Sequence, residues 1–197
     1  MLTTRCLAAA VLLSFAVLAP AHAAQTFTTE ASFRTALGAT PTAHTFDALA
    51  HNTTVTTQLA GANYQGTARA WDAQSQGGGG TYQTPINVLL NFGAAPIEFL
   101  LVPPVDGVGF YNTSIFDAER VSFFDSANNL LFQADLPAPT VNFRGYIGDV
   151  KIAKVSVVGI PPTNGTIFID TVLFGNLAPV TPTERHSWSR IKQLFRR

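Results

Sequence analysis

The sequence contains a single cysteine, Cys6, which lies before the first apolar run instead of after it, where a lipidated cysteine would stand. If the first 23 residues are removed on export, no cysteine remains. That excludes disulfide bonds and thiol chemistry in the mature chain. Stability must then come from an apolar core or from a bound ion.

The N-terminus has the three parts of a secretory signal peptide. Arg5 supplies a positive charge, residues 7–18 are almost entirely apolar, and Ala21 and Ala23 frame a small-x-small cleavage signal. The apolar run is too short to span a membrane comfortably. We therefore predict cleavage after residue 23 and a protein that is secreted, periplasmic or at the cell surface.

The body of the chain lacks an excess of basic residues. Residues 24–183 hold eleven acidic and six basic residues, whereas residues 184–197 hold one acidic and five basic residues. The acidic balance of the body predicts no nucleic-acid partner. In the tail, Trp188 and Ile191 lie on one helical face with Leu194. The tail is either a solvated extension or an amphipathic segment that contacts an anionic membrane or polymer.

Common catalytic motifs are also missing. There is no Gly-x-Ser-x-Gly sequence, and the glycine run at 77–80 lacks the lysine of a phosphate loop. His44 and His51 show no zinc-ligand spacing. A glycosidase would need two nearby carboxyl groups. The candidates, most of them at predicted strand ends or turns, are Asp47, Asp72, Glu98, Asp106, Asp117, Glu119, Asp125, Asp135 and Asp170.

The second half of the chain is rich in short apolar segments separated by Pro, Gly, Asn or Asp. Such spacing predicts an all-β fold, a two-sheet antiparallel β-sandwich of jelly-roll or lectin-like type. Phe110, Phe123, Phe132, Phe143 and Phe168 are expected between the sheets. The predicted strands are 97–102, 105–111, 120–124, 130–134, 141–147, 152–158 and 166–174.

Three local patterns complete the expected secondary structure. Residues 28–38 predict a short helix that Thr28 or Thr29 caps and Gly38 ends. A first strand is expected at 44–49, and another near 66–71. Asp125 and the polar residues after it predict the turn of a hairpin.

Aromatic residues near polar loops are the candidates for sugar binding. Trp71, Tyr64, Tyr82 and Tyr111 lie in or beside such loops, and Arg69 is close to Trp71 in sequence. A tryptophan ring suits stacking on a pyranose. A packed tryptophan under the glycine-rich loop is the alternative interpretation.

Two acidic residues are candidates for a structural calcium site. Asp47 lies near the first predicted strand, and Asp170 interrupts the last one. Ca²⁺ is bound by carboxylate and carbonyl oxygens. Alternatively, Asp170 points outward or accepts a hydrogen bond from a backbone amide.

The order of several segments resembles exported bacterial proteins of the PEP-CTERM type. Residues 29–37 and 45–49 match a common opening of that family, and the resemblance covers roughly residues 27–175. It implies a jelly-roll or lectin-like β-sandwich linked to export and to the cell surface or exopolysaccharide matrix. The family's Pro-Glu-Pro motif and transmembrane sorting helix have no counterpart here. The later matching segments are 105–110, 141–148, 152–155 and 167–174.

These patterns predict a signal peptide at 1–23, a β-sandwich domain at 24–178 and a linker with a basic tail at 179–197. The expected function is non-catalytic binding of carbohydrate or of an extracellular-matrix polymer. A structural matrix protein without a small ligand and a glycoside-active enzyme are the alternatives.

Overall fold

The computed structural model describes residues 23–76, 87–93, 95–114, 117–138, 142–160 and 166–179. These residues form eleven strands and two short helices, which confirms the all-β prediction. Neither helix is long and apolar enough to cross a membrane. The predicted signal peptide, all of it but Ala23, lies outside the described residues, as do the glycine run, Tyr82 and the basic tail.

The elements follow one another along the chain without long helices between them. They are β1 (Gln25–Phe27), α1 (Glu30–Leu37), β2 (Thr42–His44), β3 (Thr53–Thr54), β4 (Ala62–Gln65), β5 (Arg69–Asp72), α2 (Ala73–Gln76), β6 (Asn87–Asn91), β7 (Ile97–Asn112), β8 (Glu119–Phe124), β9 (Leu130–Leu136), β10 (Asn142–Gly159) and β11 (Ile167–Gly175).

All strand pairings are antiparallel and join the strands into one hydrogen-bonded sheet. The order along its main path is β3-β5-β6-β11-β7-β10-β8-β9. Three further strands pair with members of this path: β1 with β10, β2 with β11 and β4 with β7.

Two long strands, β7 and β10, connect two arms of the sheet. The first part of β7 lies between β4 and the second part of β10, with Phe99 opposite both Tyr64 and Val155. Its second part lies between β11 and the first part of β10, with Phe110 opposite Val172 and Arg144. Each long strand was predicted as two separate strands.

The two arms share one apolar core. Phe99 and Phe123 of one arm belong to the same buried cluster as Phe110 and Ile169 of the other. The hydroxyl group of Tyr64 on β4 lies 2.8 Å from His44 Nδ1 on β2, which adds a polar link across this core. Of the five phenylalanines predicted between two sheets, Phe110 and Phe123 lie in this core and Phe132 is half-buried against it, whereas Phe143 and Phe168 are buried in two smaller clusters.

The predicted helix is confirmed as α1. Thr29 is its N-cap, since its side chain accepts the backbone N–H of Ser32, and Gly38 ends it with φ = 67°. Phe33 and Leu37 are fully buried. The Phe33 ring lies 5.7 Å from that of Phe143 on β10, so α1 packs on the face of the sheet opposite the main core.

The predicted first strand at 44–49 is wrong at both ends. The strand is β2, and it ends at His44, because Phe46 has φ = 64° and cannot continue an extended strand. The strand expected near 66–71 begins at Arg69. The hairpin prediction is confirmed, since Asp125 accepts the backbone N–H groups of Ala127 and Asn129 between β8 and β9.

Candidate ligand-binding surface

Strands β5 and β6 place Trp71 and Arg69 on the outer face of the sheet. Trp71 lies opposite Val88, and Arg69 lies opposite Leu90. Between them, Ala70 points into the main core. Because side chains alternate along a strand, Arg69 and Trp71 share the opposite face.

Trp71 lies between two other rings. The centroid of Phe92 is 5.4 Å away at an interplanar angle of 87°, and that of His51 is 4.6 Å away at 56°. Phe92 is 60% exposed although it is a large apolar residue. We call Trp71, Phe92, His51 and Arg69 the Trp71 surface.

A small apolar cluster supports the Trp71 surface from below. Trp71 packs on Val88, Leu90 and Phe168, all of which are buried. Ala73, the first residue of α2, belongs to the same cluster. The tryptophan ring is therefore held in place on one side and half-exposed on the other, as a preformed binding surface requires.

Polar groups surround these rings. Arg69 Nη1 donates a hydrogen bond of 2.8 Å to Asn52 Oδ1. His51 Nδ1 accepts the backbone N–H of Asp72 at 3.0 Å, which makes Nε2 the protonated nitrogen of the neutral ring. Hydrogen bonds from Ser75 are the main reason that the pKa of Asp72 lies below its usual range, so Asp72 is a stable carboxylate.

The predicted site residues are not gathered in one place. Tyr64 is only 3% exposed and packs in the main core, where burial raises the pKa of its hydroxyl group. Its ring offers no surface for stacking, so Tyr64 as a ligand-binding residue is wrong. Tyr82 lies outside the described residues. Strands β6 and β11 separate Tyr111 on β7 from Trp71 on β5.

Tyr111 lines a separate groove beside α1. Its hydroxyl group donates a hydrogen bond of 2.9 Å to Glu30 Oε2, and Arg34 Nε lies 2.6 Å from Glu30 Oε1. Burial, and next the Glu30 hydrogen bond, raise the pKa of Tyr111 to about 12. The groove has a volume of about 560 Å³ and is lined by Thr28, Thr29, Glu30, Ala31, Arg34, Tyr111 and Phe143.

The two predicted calcium ligands each have a hydrogen-bonded partner. Asp47 Oδ1 accepts the backbone N–H of Asn87 at 2.9 Å, and the buried Asp170 Oδ1 accepts the Thr171 hydroxyl at 3.0 Å. Within the part of the chain that the structure describes, no three His, Cys, Asp or Glu side chains form a metal-binding group. Calcium at Asp47 and Asp170 stays a prediction.

Sequence reasoning missed Phe92 and His51 as members of the Trp71 surface. One local signal exists for Phe92. It follows the last residue of β6 and precedes Gly93, whose φ is 99°. Such a glycine indicates a turn, where few neighbouring residues can bury a large apolar side chain. His51 carries no such signal, because a loop brings it to Trp71 from a distant part of the chain.

Comparisons with known proteins identify no family. No protein-family model and no curated protein sequence matches the chain. Among solved structures, one that is similar is the crystal structure of the enzymatically active domain of tailspike protein 4 of bacteriophage CBA120. The TM-score is 0.37 at 13% identity, over 58% of this chain and 19% of that one. The chain thus spans about a fifth of that protein's length.

Proposed function

We propose that this protein is an exported, non-catalytic polysaccharide-binding protein and that the Trp71 surface is its binding site. The observation that carries the proposal is a pair of rings, the half-exposed Trp71 and the exposed Phe92, beside the polar groups of Arg69 and Asn52. Apolar ring faces stack on the C–H groups of a pyranose, and neighbouring donors and acceptors bind its hydroxyl groups.

The proposal includes a two-layer sandwich as the scaffold. In this interpretation β7 bends near Pro103 and Pro104, and β10 bends between Ile147 and Ile152, where its pairing register shifts. The shared core of the two arms supports such packing. The signal sequence and the resemblance to PEP-CTERM-type proteins support a polymer outside the cell, in the surface or matrix layer, as the ligand.

A glycan array probed with the full mature chain, followed by binding curves for the best ligand, tests the proposal. Trp71→Ala should weaken binding by about tenfold or more, because a central aromatic residue carries a large share of the binding energy. Phe124→Ala is the matched control, since Phe124 is also a half-buried ring but lies on β8 in the other arm. Equal affinities of Trp71→Ala and the unaltered chain would contradict the proposed site.

A structural matrix protein is the second candidate, and strand β9 favours it. In the described part of the chain β9 pairs only with β8, so its outer edge is open to another strand. Leu130 at its start is 53% exposed. An apparent molar mass from light scattering that rises with protein concentration, in the absence of any glycan, would favour assembly through this edge over glycan binding.

A further inference from the structure

A group of buried polar residues lies where β7 ends and β8 begins. Asn112, Thr113, Ser114 and Glu119 are each at most 1% exposed, and Asp117 is 8% exposed. We call these five residues the Glu119 cluster. Burial of so many polar groups at one end of an apolar core is costly unless each group has a partner.

Hydrogen bonds tie part of the cluster to the start of β11. Ser114 Oγ donates to the carbonyl oxygen of Thr166 at 3.1 Å, and Asp117 Oδ2 accepts the backbone N–H of Thr166 at 3.1 Å. Within the cluster, Asn112 Oδ1 accepts the backbone N–H of Ser114 at 2.9 Å. Ser114 and Asp117 are therefore both tied to Thr166, the residue before β11.

Glu119 itself is not satisfied by these bonds. Neither of its carboxyl oxygens has a hydrogen-bond partner among the described residues, and the same is true of Thr113 Oγ1. The Ser114 hydroxyl and the Phe168 backbone lie close enough to lower its pKa but make no hydrogen bond of normal geometry with it.

The electrostatic setting of Glu119 is unfavourable for a lone carboxylate. Its pKa is raised to about 8, mainly by burial and to a smaller extent by the nearby Asp117. The four ion pairs in the described part of the chain involve neither acid. Two neighbouring buried acids can be neutralised by a bound cation or by a proton, and only the cation also uses the oxygens that lack partners.

We infer that Glu119 and Asp117 bind a divalent cation of the hard, oxygen-preferring class, for which Ca²⁺ is the probe. Both oxygens of Glu119 are free to coordinate, and Asp117 Oδ1 remains beside the oxygen that Thr166 occupies. Thr113 Oγ1 is a further buried oxygen without a hydrogen-bond partner among the described residues. Ca²⁺ takes six to eight oxygen ligands and accepts backbone carbonyls and waters for the rest.

This site differs from the pair Asp47 and Asp170 in both residues and place. A cation at the Glu119 cluster joins the end of β7 to the start of β8, and through Thr166 it also fixes the start of β11. Because the cation binds the folded chain, it stabilises the fold by mass action. Its role is structural, since Glu119 is fully buried.

Calorimetric titration of the chelator-treated full mature chain with CaCl₂ tests the inference, together with melting curves in chelator and in Ca²⁺. The unaltered chain should bind Ca²⁺ and melt at a higher temperature when it is present. Asp117→Asn should weaken Ca²⁺ binding by about tenfold or more, and Glu119→Gln should abolish the melting shift. Glu98→Gln, which alters an acid on β7 near Lys154, should leave both unchanged.

Absence of Ca²⁺ binding to the unaltered chain would overturn the inference without reference to any variant, even if Glu119→Gln fails to fold. An unchanged melting shift in Glu119→Gln would also overturn it. A third result would also overturn the inference: a free energy of unfolding that falls as pH rises from about 4.5 towards 8, equally in chelator and in Ca²⁺. That is the behaviour of a buried Glu119 that holds a proton instead of a cation.

Discussion

His44 links two strands through both nitrogens of its ring. Nε2 donates to the carbonyl oxygen of Ala60 at 3.1 Å, so Nδ1 is the acceptor for the Tyr64 hydroxyl at 2.8 Å. This arrangement uses the neutral ring, and burial lowers the pKa of His44 below its usual value of 6.5. The stability that these two hydrogen bonds give to the fold therefore depends on an uncharged His44.

The lowered pKa of His44 predicts a loss of stability in acid. Above pH 6.5 the ring is neutral in both the folded and the unfolded chain; as pH falls below 6.5, the unfolded chain takes up the proton first. Urea unfolding at pH 8 and pH 5 measures the effect. His44→Gln should reduce the loss between these pH values, whereas His51→Gln, an exposed control, should keep it. An equal loss in His44→Gln would assign the acid sensitivity to other groups.

Removal of the Tyr64 hydroxyl should destabilise the protein. Tyr64→Phe leaves His44 Nδ1 buried without its donor, which costs about 1–3 kcal/mol of unfolding free energy. Chemical denaturation at pH 8 measures the change, and Tyr111→Phe is a control at a half-exposed hydroxyl. A Tyr64→Phe protein as stable as the unaltered chain would show that the hydrogen bond contributes little.

Tyr64 also shows where residue-level prediction from sequence failed. Its neighbours Asn63 and Gln65 are polar, which suggested a loop. In β4, however, the side chains alternate, so Ala62 and Tyr64 point into the core while the polar residues point away. The sequence around β4 is too short and too polar for this period to be recognised.

At the scale of elements, local signals predicted the helix fully. Thr29 and Gly38 bound α1 as expected, because caps depend on residues next to them in sequence. The long strands were only partly predictable. Pro103 and Pro104 lack the N–H groups that strand pairing uses, so they suggested a break, yet they fall between two paired stretches of one strand.

Gly38→Ala should destabilise α1 and the chain. A residue with a side chain is disfavoured at φ = 67°, and the added Cβ would lie 3.2 Å from the Cβ of Ala178. The expected cost is about 1–2 kcal/mol of unfolding free energy. Thermal unfolding measures it, with Thr35→Ala on the exposed side of the same helix as the control. If Gly38→Ala and Thr35→Ala both have the melting temperature of the unaltered chain, the C-cap does not limit stability.

At the scale of the whole molecule, composition and spacing predicted the fold class but not the arrangement of the site. Trp71 and Arg69 were predicted because they are near one another in sequence. Phe92 and His51 join them only through strand pairing and a loop, which no local pattern specifies. Tyr111 belongs to another groove for the same reason.

The charge of the tail predicts a second, electrostatic contact. Residues 184–197 carry five of the chain's twelve lysine and arginine residues, whereas the remainder of the chain is acidic. Deletion of 184–197 should weaken binding to anionic liposomes or to an acidic polysaccharide, and added salt should do the same to the full chain. Cosedimentation at low salt measures this. Equal binding by both proteins would make the tail a passive extension.

The most direct test is an NMR titration of the indole N–H groups with the best uncharged glycan from the array, which has no charge to attract the basic tail. The chain has two tryptophans, Trp71 and Trp188, so the second serves as an internal control. If the Trp71 surface binds the glycan, the Trp71 signal should shift and saturate with the binding curve while the Trp188 signal stays in place. An unmoved Trp71 signal at saturating glycan would contradict the claim that the Trp71 surface binds polysaccharide.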